Sequence, residues 1–169
     1  VDAPGDRVDA PGHRVDAPGH RVDSPAPPEA FIARRRVEFR DTDAAGIAHF
    51  SAFFPWMEAA EHELLRSIDV PVMATLPNGA TASWPRVSAS CDYRSAVRFG
   101  DELEIAVWLA AIGRSSVTYA FRFTHAQRLV AEGRIVAVHC RMEGSERPVP
   151  AALPAGLLER LRPFLVAGS

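Results

Sequence analysis

One run of helical period followed by four runs of strand period constrains this chain more than any other feature. Between Phe50 and Ile68 the positions Phe53, Met57, Ala60, Leu64 and Ile68 recur at helical spacing, flanked by Phe54, Glu61 and Leu65. Ser51 stands where an N-cap belongs, and Pro55 falls in the first turn, where a missing N–H costs little. Asp69, Pro71 and Pro77-Asn78-Gly79 mark the exit into a loop. After Trp84 the period becomes two. Val87, Ala89, Cys91 and Tyr93 alternate, as do Leu103, Ile105, Val107 and Leu109, then Val117, Tyr119, Phe121 and Phe123. The last run, Val130 to Met142, sets Val136, Val138 and Cys140 on one face. A shorter alternation over residues 33–41 precedes the helix, with Val37 and Phe39 opposed to Arg36, Glu38 and Arg40.

Phe99-Gly100-Asp101, Gly113-Arg114-Ser115 and Ala126-Gln127-Arg128 read as hairpin or turn chemistry. Links this short predict antiparallel pairing, because parallel neighbours need long crossovers. The expected class is α+β, a five-stranded antiparallel sheet with one apolar helix on it. One helix covers such a sheet incompletely, so a dimer that joins sheets or covers the exposed face is expected. Leu157 to Leu165 predicts a short closing helix.

The start of the chain is of another kind. VDAPGDR, VDAPGHR, VDAPGHR and a degenerate VDSPAPP repeat every seven residues, but Pro-Gly in each full unit excludes a heptad helix. One valine per unit builds no core, so residues 1–28 are expected to be a disordered, weakly acidic tail. Metal binding through His13 and His20, or a mis-assigned translation start, are the other readings of this repeat.

That tail also carries the whole net charge of −2, since the remainder balances sixteen acids against sixteen Arg. A neutral domain lacks the basic face of a general nucleic-acid binder. The chain has no Lys, a compositional bias that limits how much any one Arg signifies. No apolar run approaches the roughly 20 residues needed to span a bilayer, and no signal-peptide core is visible. Cys91 and Cys140 sit in apolar strand patterns and make no disulfide framework, so two buried thiols in a reducing, cytoplasmic setting are expected.

Chemistry-bearing residues gather between the first strand and the helix. Asp41 and Asp43 suit the turn and the positive end of the helix without further purpose. A calcium loop fails at Ala45 and Ala52, where oxygen ligands are required. His62-Glu63 is no metalloprotease motif, because Arg66 stands where the second His belongs. No nucleophile elbow, phosphate loop or dinucleotide fingerprint appears. His125 and His139 are expected to be structural. On the helix, Glu58, Glu61 and His62 form a polar face, with Glu61 the one expected to point inward.

RVEFRDTDAAGIAHFSAFFPWMEAAEHELLR resembles the 4-hydroxybenzoyl-CoA thioesterase branch of the hotdog superfamily, including the tol-pal-associated acyl-CoA thioesterases. The resemblance rests on the strand, the Asp-Thr-Asp-x-x-Gly-Ile motif and the aromatic, Glu-bearing helix, and continues loosely through Asp92-Tyr93 and Gly100-Asp101-Glu102-Leu103. It implies a hotdog fold, an antiparallel sheet wrapped around one long central helix, over residues 29–150, with 151–169 as a C-terminal segment. It implies an acyl-CoA thioesterase that needs no cofactor or metal and works as a homodimer or homotetramer. Asp43 is then the nucleophile or general base. The oxyanion is held at the helix N-terminus around His49, Phe50 and Ser51, with Gly46 shaping the loop and His49 walling the acyl pocket or transferring protons. Arg86, Arg94, Arg98 and Arg114 are the candidates for the CoA phosphates. A helix carboxylate, Glu58 or Glu61, is the alternative catalyst, and a non-catalytic acyl-binding protein is the alternative outside enzymology.

Overall fold

A helix that is apolar on one side has to be buried against something, and here it lies on the sheet made by the strand-period runs. The computed structural model describes residues 25–76, 78–143 and 147–166. The long helix, α1 (Phe53–Ser67), packs against a five-stranded antiparallel sheet in the order β1-β5-β6-β7-β4. Its strands are β1 (Phe31–Arg36), β4 (Arg86–Tyr93), β5 (Glu102–Ile112), β6 (Ser116–His125) and β7 (Arg128–Val138). A second, small sheet joins β2 (Ala74–Thr75), β3 (Thr81–Ser83), β8 (Cys140–Met142) and β9 (Val149–Pro150). The chain then forms α2 (Ala155–Leu161) and a 3-10 turn, Arg162–Phe164. The α+β expectation of five strands and one long helix is met, and the expected closing helix is present. The second sheet was not foreseen, and the repeat tail lies outside the described residues up to 24.

Leu103, Ile105, Val107 and Leu109 of β5 pair or neighbour Tyr119, Phe121 and Phe123 of β6, and all are buried in one core with α1. Opposite β6, Gly133 leaves room for the helix, since a Cβ there would collide with the Met57 sulfur. From α1 the core takes Phe53, Trp56, Met57, Ala60, Leu64 and Leu65. Trp56 falls outside the spacing that predicted the others. Buried apolar area of this kind is the main stabilising term in such a layer pair.

Several local expectations are corrected. The first strand starts at Phe31 and ends at Arg36, so Phe39 does not share a face with Val37. Val37 is fully buried, whereas Phe39 is 79% exposed in a 3-10 turn. The cause is a capping box, in which the Glu38 N–H donates to Asp41 Oδ2 at 2.9 Å and turns the chain out of the strand. Ser51 is not the N-cap. A 3-10 turn, Phe50–Ala52, precedes α1, and His49 caps it. In the last run the strand breaks at His139, and Cys140 joins the other sheet. Ile135 and Ala137, with Val130 and Ala131 earlier in the strand, are core positions of β7, while Val136 and Val138 occupy the alternate face and are only half-buried.

Of the three turns, two are hairpins. Ala126 and Gln127 both have positive φ, +47° and +65°, the backbone of a type I′ turn without glycine. Phe99-Gly100-Asp101 is not a hairpin, because β4 pairs with β7 and β5 with β1. The segment from Arg94 to Asp101 therefore passes along the end of the sheet. At the other end of α1, Asp69 takes φ +54° in a Schellman closure, with the Val70 N–H donating to Leu65 O and the Asp69 N–H to Arg66 O. Arg160 of α2 donates to the Ile68 and Asp69 carbonyls at 3.2 and 2.8 Å.

Candidate active site

The turn between β1 and α1 is closed by its own backbone. Thr42 and Ala48 bridge, the Asp43 N–H donates to Ile47 O at 2.9 Å, and the Gly46 N–H returns to Asp43 O at 2.9 Å. Gly46 has φ +72°, a conformation that a side chain strains. The turn is also docked from both sides. The Ala48 N–H donates to Val97 O at 2.8 Å, and Arg98 Nη1 donates to Gly46 O at 3.4 Å.

The two aspartates divide the work. Asp41 is structural, its carboxylate spent on the capping box and its carbonyl on the His49 N–H at 2.7 Å. Asp43 Oδ1 accepts the Ala45 N–H at 2.8 Å, which is the ordinary turn role of an aspartate. Among the described residues nothing bonds Oδ2, and Asp43 lines a cleft of about 360 Å³. The opposite walls are Phe50 and Phe53 at the start of α1 and Tyr93 and Arg94 at the end of β4. Gly46, His49 and Ser51 lie outside its lining.

The amides at the start of the helix are not equally available. The His49 N–H is already donated to Asp41 O. The Ser51 N–H points at His49 Nδ1, a long contact of 3.3 Å, while the Ser51 hydroxyl meets the same nitrogen at 2.7 Å. The Phe50 N–H has no acceptor among the described residues. It belongs to the peptide whose carbonyl, His49 O, accepts the Ala52 N–H at 2.9 Å. In a trans peptide N–H and C=O point oppositely, so the Phe50 N–H is directed out of the helix end. His49 thus acts as the cap of this turn.

The helix carboxylates lie elsewhere. Glu61 is buried, as expected, and its Oε1 accepts from Arg86 Nη2 at 2.9 Å. Burial outweighs the attraction of Arg86 and pushes its carboxyl up to about 7. Arg86 also donates to His62 Nε2 at 3.1 Å, and burial, then Arg86, lowers the His62 pKa. Glu58 is exposed, 3.9 Å from Arg86. Neither Glu58 nor Glu61 lines the cleft.

Of the four arginines, Arg94 alone lines the cleft, where it pairs with Glu132 at 3.5 Å. Arg86 is committed to Glu61, Arg98 holds the Asp43 turn, and Arg114 lies beyond the far end of β5. His125 and His139 have structural partners, the Glu102 and Ala151 carbonyls. Tyr93 was not singled out as a site residue. Its hydroxyl donates to Phe50 O at 2.9 Å, and only the sheet order brings the end of β4 to the start of α1. A smaller cavity of about 240 Å³ at the opposite end of α1, near Trp84 and His139, does not include Asp43.

Comparison with known proteins gives this arrangement a family. A 1,4-dihydroxy-2-naphthoyl-CoA hydrolase of Synechococcus sp. (strain CC9605) is 31% identical over 127 residues, covering 73% of this chain and 83% of that protein. A 1,4-dihydroxy-2-naphthoyl-CoA thioesterase from Synechocystis superposes with a TM-score of 0.68 at 21% identity, over 79% of this chain and 96% of the other. A 4-hydroxybenzoyl CoA thioesterase mutant, an aspartate-to-asparagine change, complexed with 4-hydroxybenzoyl CoA, superposes with a TM-score of 0.68 at 19% identity, over 79% and 99%. The family model described as "Thioesterase-like superfamily" matches residues 37–161, from the end of β1 to the end of α2. The chain therefore belongs to the thioesterase-like superfamily, and it is a thioester hydrolase.

Proposed function

We propose that this protein hydrolyses acyl-CoA thioesters, with Asp43 as nucleophile or general base and the oxyanion held by the amides that open α1. The observation that carries the reading is the cleft itself. One wall holds a carboxylate with an unengaged oxygen, and the other holds Phe50, whose N–H is free at a helix start. A thioester needs little more, because its thiolate leaves readily. As a base, Oδ2 takes a proton from water, the water oxygen bonds to the acyl carbon, and the C–S bond breaks. CoA leaves as the thiol, and the acyl group leaves as the acid. As a nucleophile, Asp43 first forms an anhydride with the acyl group, and water then opens it. In both routes negative charge develops on the acyl oxygen, where a helix N-terminus and its unpaired N–H groups favour it.

The relatives support the same reading. One is named for a naphthoyl-CoA, and a solved thioesterase carries Asn in place of Asp while bound to its benzoyl substrate. Phe50, Phe53 and Tyr93 give the cleft aromatic walls, which suits a flat aryl acyl group. Arg94, on the same cleft, suits a CoA phosphate better than the other three arginines. The protein works as a homodimer or homotetramer in this reading. Strand β4 is an unpaired edge exposed along most of its length, the kind of edge that a second copy can extend.

A free-thiol assay across aryl and alkyl acyl-CoAs tests the activity. Asp43→Asn is expected to lose on the order of 10²–10⁴-fold in kcat. Full activity in Asp43→Asn would remove the chemistry from this cleft. No hydrolysis with any acyl-CoA, together with tight binding of one, would favour an acyl-binding protein instead.

A further inference from the structure

We propose that Tyr93 is a positioning residue of this hydrolysis, its hydroxyl fixing the Phe50–Ser51 turn so that the free Phe50 N–H faces the developing oxyanion. The inference rests on the acyl-CoA reading above. Tyr93 Oη donates to Phe50 O at 2.9 Å. That carbonyl and the Ser51 N–H are the two ends of one planar trans peptide, so the bond that holds the first sets the direction of the second. The preceding peptide, which carries the free Phe50 N–H, is held by the Ala52 N–H on His49 O. Phe50 is therefore clamped on both sides of its Cα, and its own N–H gains a fixed direction.

Apart from these bonds and the His49 cap, little restrains this turn. Phe50 is 60% exposed and its ring packs on that of His49 at 4.3 Å, so packing holds it weakly, and a 3-10 turn has poorer hydrogen-bond geometry than an α-helix. Tyr93 is itself well anchored. Its ring meets Phe53, the first residue of α1, edge-on at 5.1 Å. The next two residues, Arg94 and Ser95, donate their N–H groups to Val130 O of β7 at 2.8 and 3.1 Å. The sheet thus grips the helix start across the cleft through one phenol. Donation into the Phe50 carbonyl also polarises that peptide, which strengthens the Ser51 N–H toward His49 Nδ1 and stiffens the cap. At 45% exposure Tyr93 is no core residue, and a Phe would fill the same space against Phe53.

Tyr93→Phe removes the hydroxyl alone. With an acyl-CoA that the wild type hydrolyses, kcat is expected to fall about tenfold, a fraction of what losing a whole oxyanion donor costs. KM is expected to stay within about twofold and the thermal midpoint to change little. A second readout does not depend on turnover. In ¹⁵N-labelled protein, the Phe50 and Ser51 amide resonances and their hydrogen exchange are expected to change in Tyr93→Phe, while those of Ala60 and Leu64 stay put. Wild-type kcat in the variant, or unmoved Phe50 and Ser51 amides, overturns the proposal. A wild type that hydrolyses no acyl-CoA overturns the parent reading, and this one with it. An active wild type with unmoved amides overturns only this one.

Discussion

Arg86 Nη2 donates to Glu61 Oε1 at 2.9 Å and so ties the buried face of α1 to the edge strand of the sheet. The pair is lopsided. The Glu61 side chain is 1% exposed and that of Arg86 24%, so the acid bears the desolvation and the base keeps contact with solvent.

Stability should therefore fall as pH rises from 4.5 to about 7. The folded chain holds the Glu61 proton up to about 7, whereas the unfolded chain releases it near 4.5. The stabilisation from this raised pKa is complete below 4.5 and is lost as pH climbs to about 7, after which the term is flat. Glu61→Gln keeps an acceptor for Arg86 and has no proton to lose. Thermal midpoints at pH 5 and pH 8 should lie closer together in the variant than in wild type. Equal gaps in the two proteins would show that Glu61 does not titrate in this range.

Asp69 closes α1 with φ +54°, the position in a Schellman motif where glycine carries no Cβ penalty. Its carbonyl, not its side chain, receives Arg160. Asp69→Gly should raise stability by about 0.5–1 kcal/mol in urea unfolding, because relief of the left-handed strain exceeds the entropy that glycine adds to the unfolded chain. A loss of stability would mean that the Asp69 side chain contributes something beyond its backbone.

Gly46 offers the reverse case. A Cβ there would sit 3.6 Å from Arg98 Nη1, an ordinary contact, so Gly46→Ala meets backbone strain rather than a clash. The expected cost is about 1–2 kcal/mol of stability, with a fall in kcat/KM as the Asp43 turn relaxes. Unchanged kcat/KM at reduced stability would show that Asp43 tolerates movement of its turn.

How much of this was legible in the sequence depends on whether the two faces of an element differ. In the first part of β5 the core residues Leu103 and Ile105 alternate with Glu102 and Glu104, and in β6 Phe121 and Phe123 alternate with Arg122 and Thr124, so the face is plain from the alternation there. In α1 the 3.6-residue period picked out the core and turned Glu61 inward. On β7 both faces are apolar near Val136, and period two cannot say which faces the helix. At Phe39 the alternation ran on through a capping box, which is read from Glu38 and Asp41 rather than from hydropathy. Sheet order left no local trace, which is why Tyr93 went unnoticed while Asp43 did not. Asp43 itself was picked out by resemblance, because the turn bond from Ala45 to its Oδ1 is what any aspartate there would make.

The Asp43 turn draws its shape from the Thr42–Ala48 bridge and the three bonds between Asp43 and its neighbours, all within seven consecutive residues. Of the surfaces lining the cleft, Ile47 and Ala48 belong to the turn itself, while the aromatic walls Phe50, Phe53 and Tyr93 come from other segments. Reagent and most of the mould thus come from different stretches of chain. A descendant could exchange its substrate by repainting the mould while the carboxylate stays in the loop that its own backbone has tied.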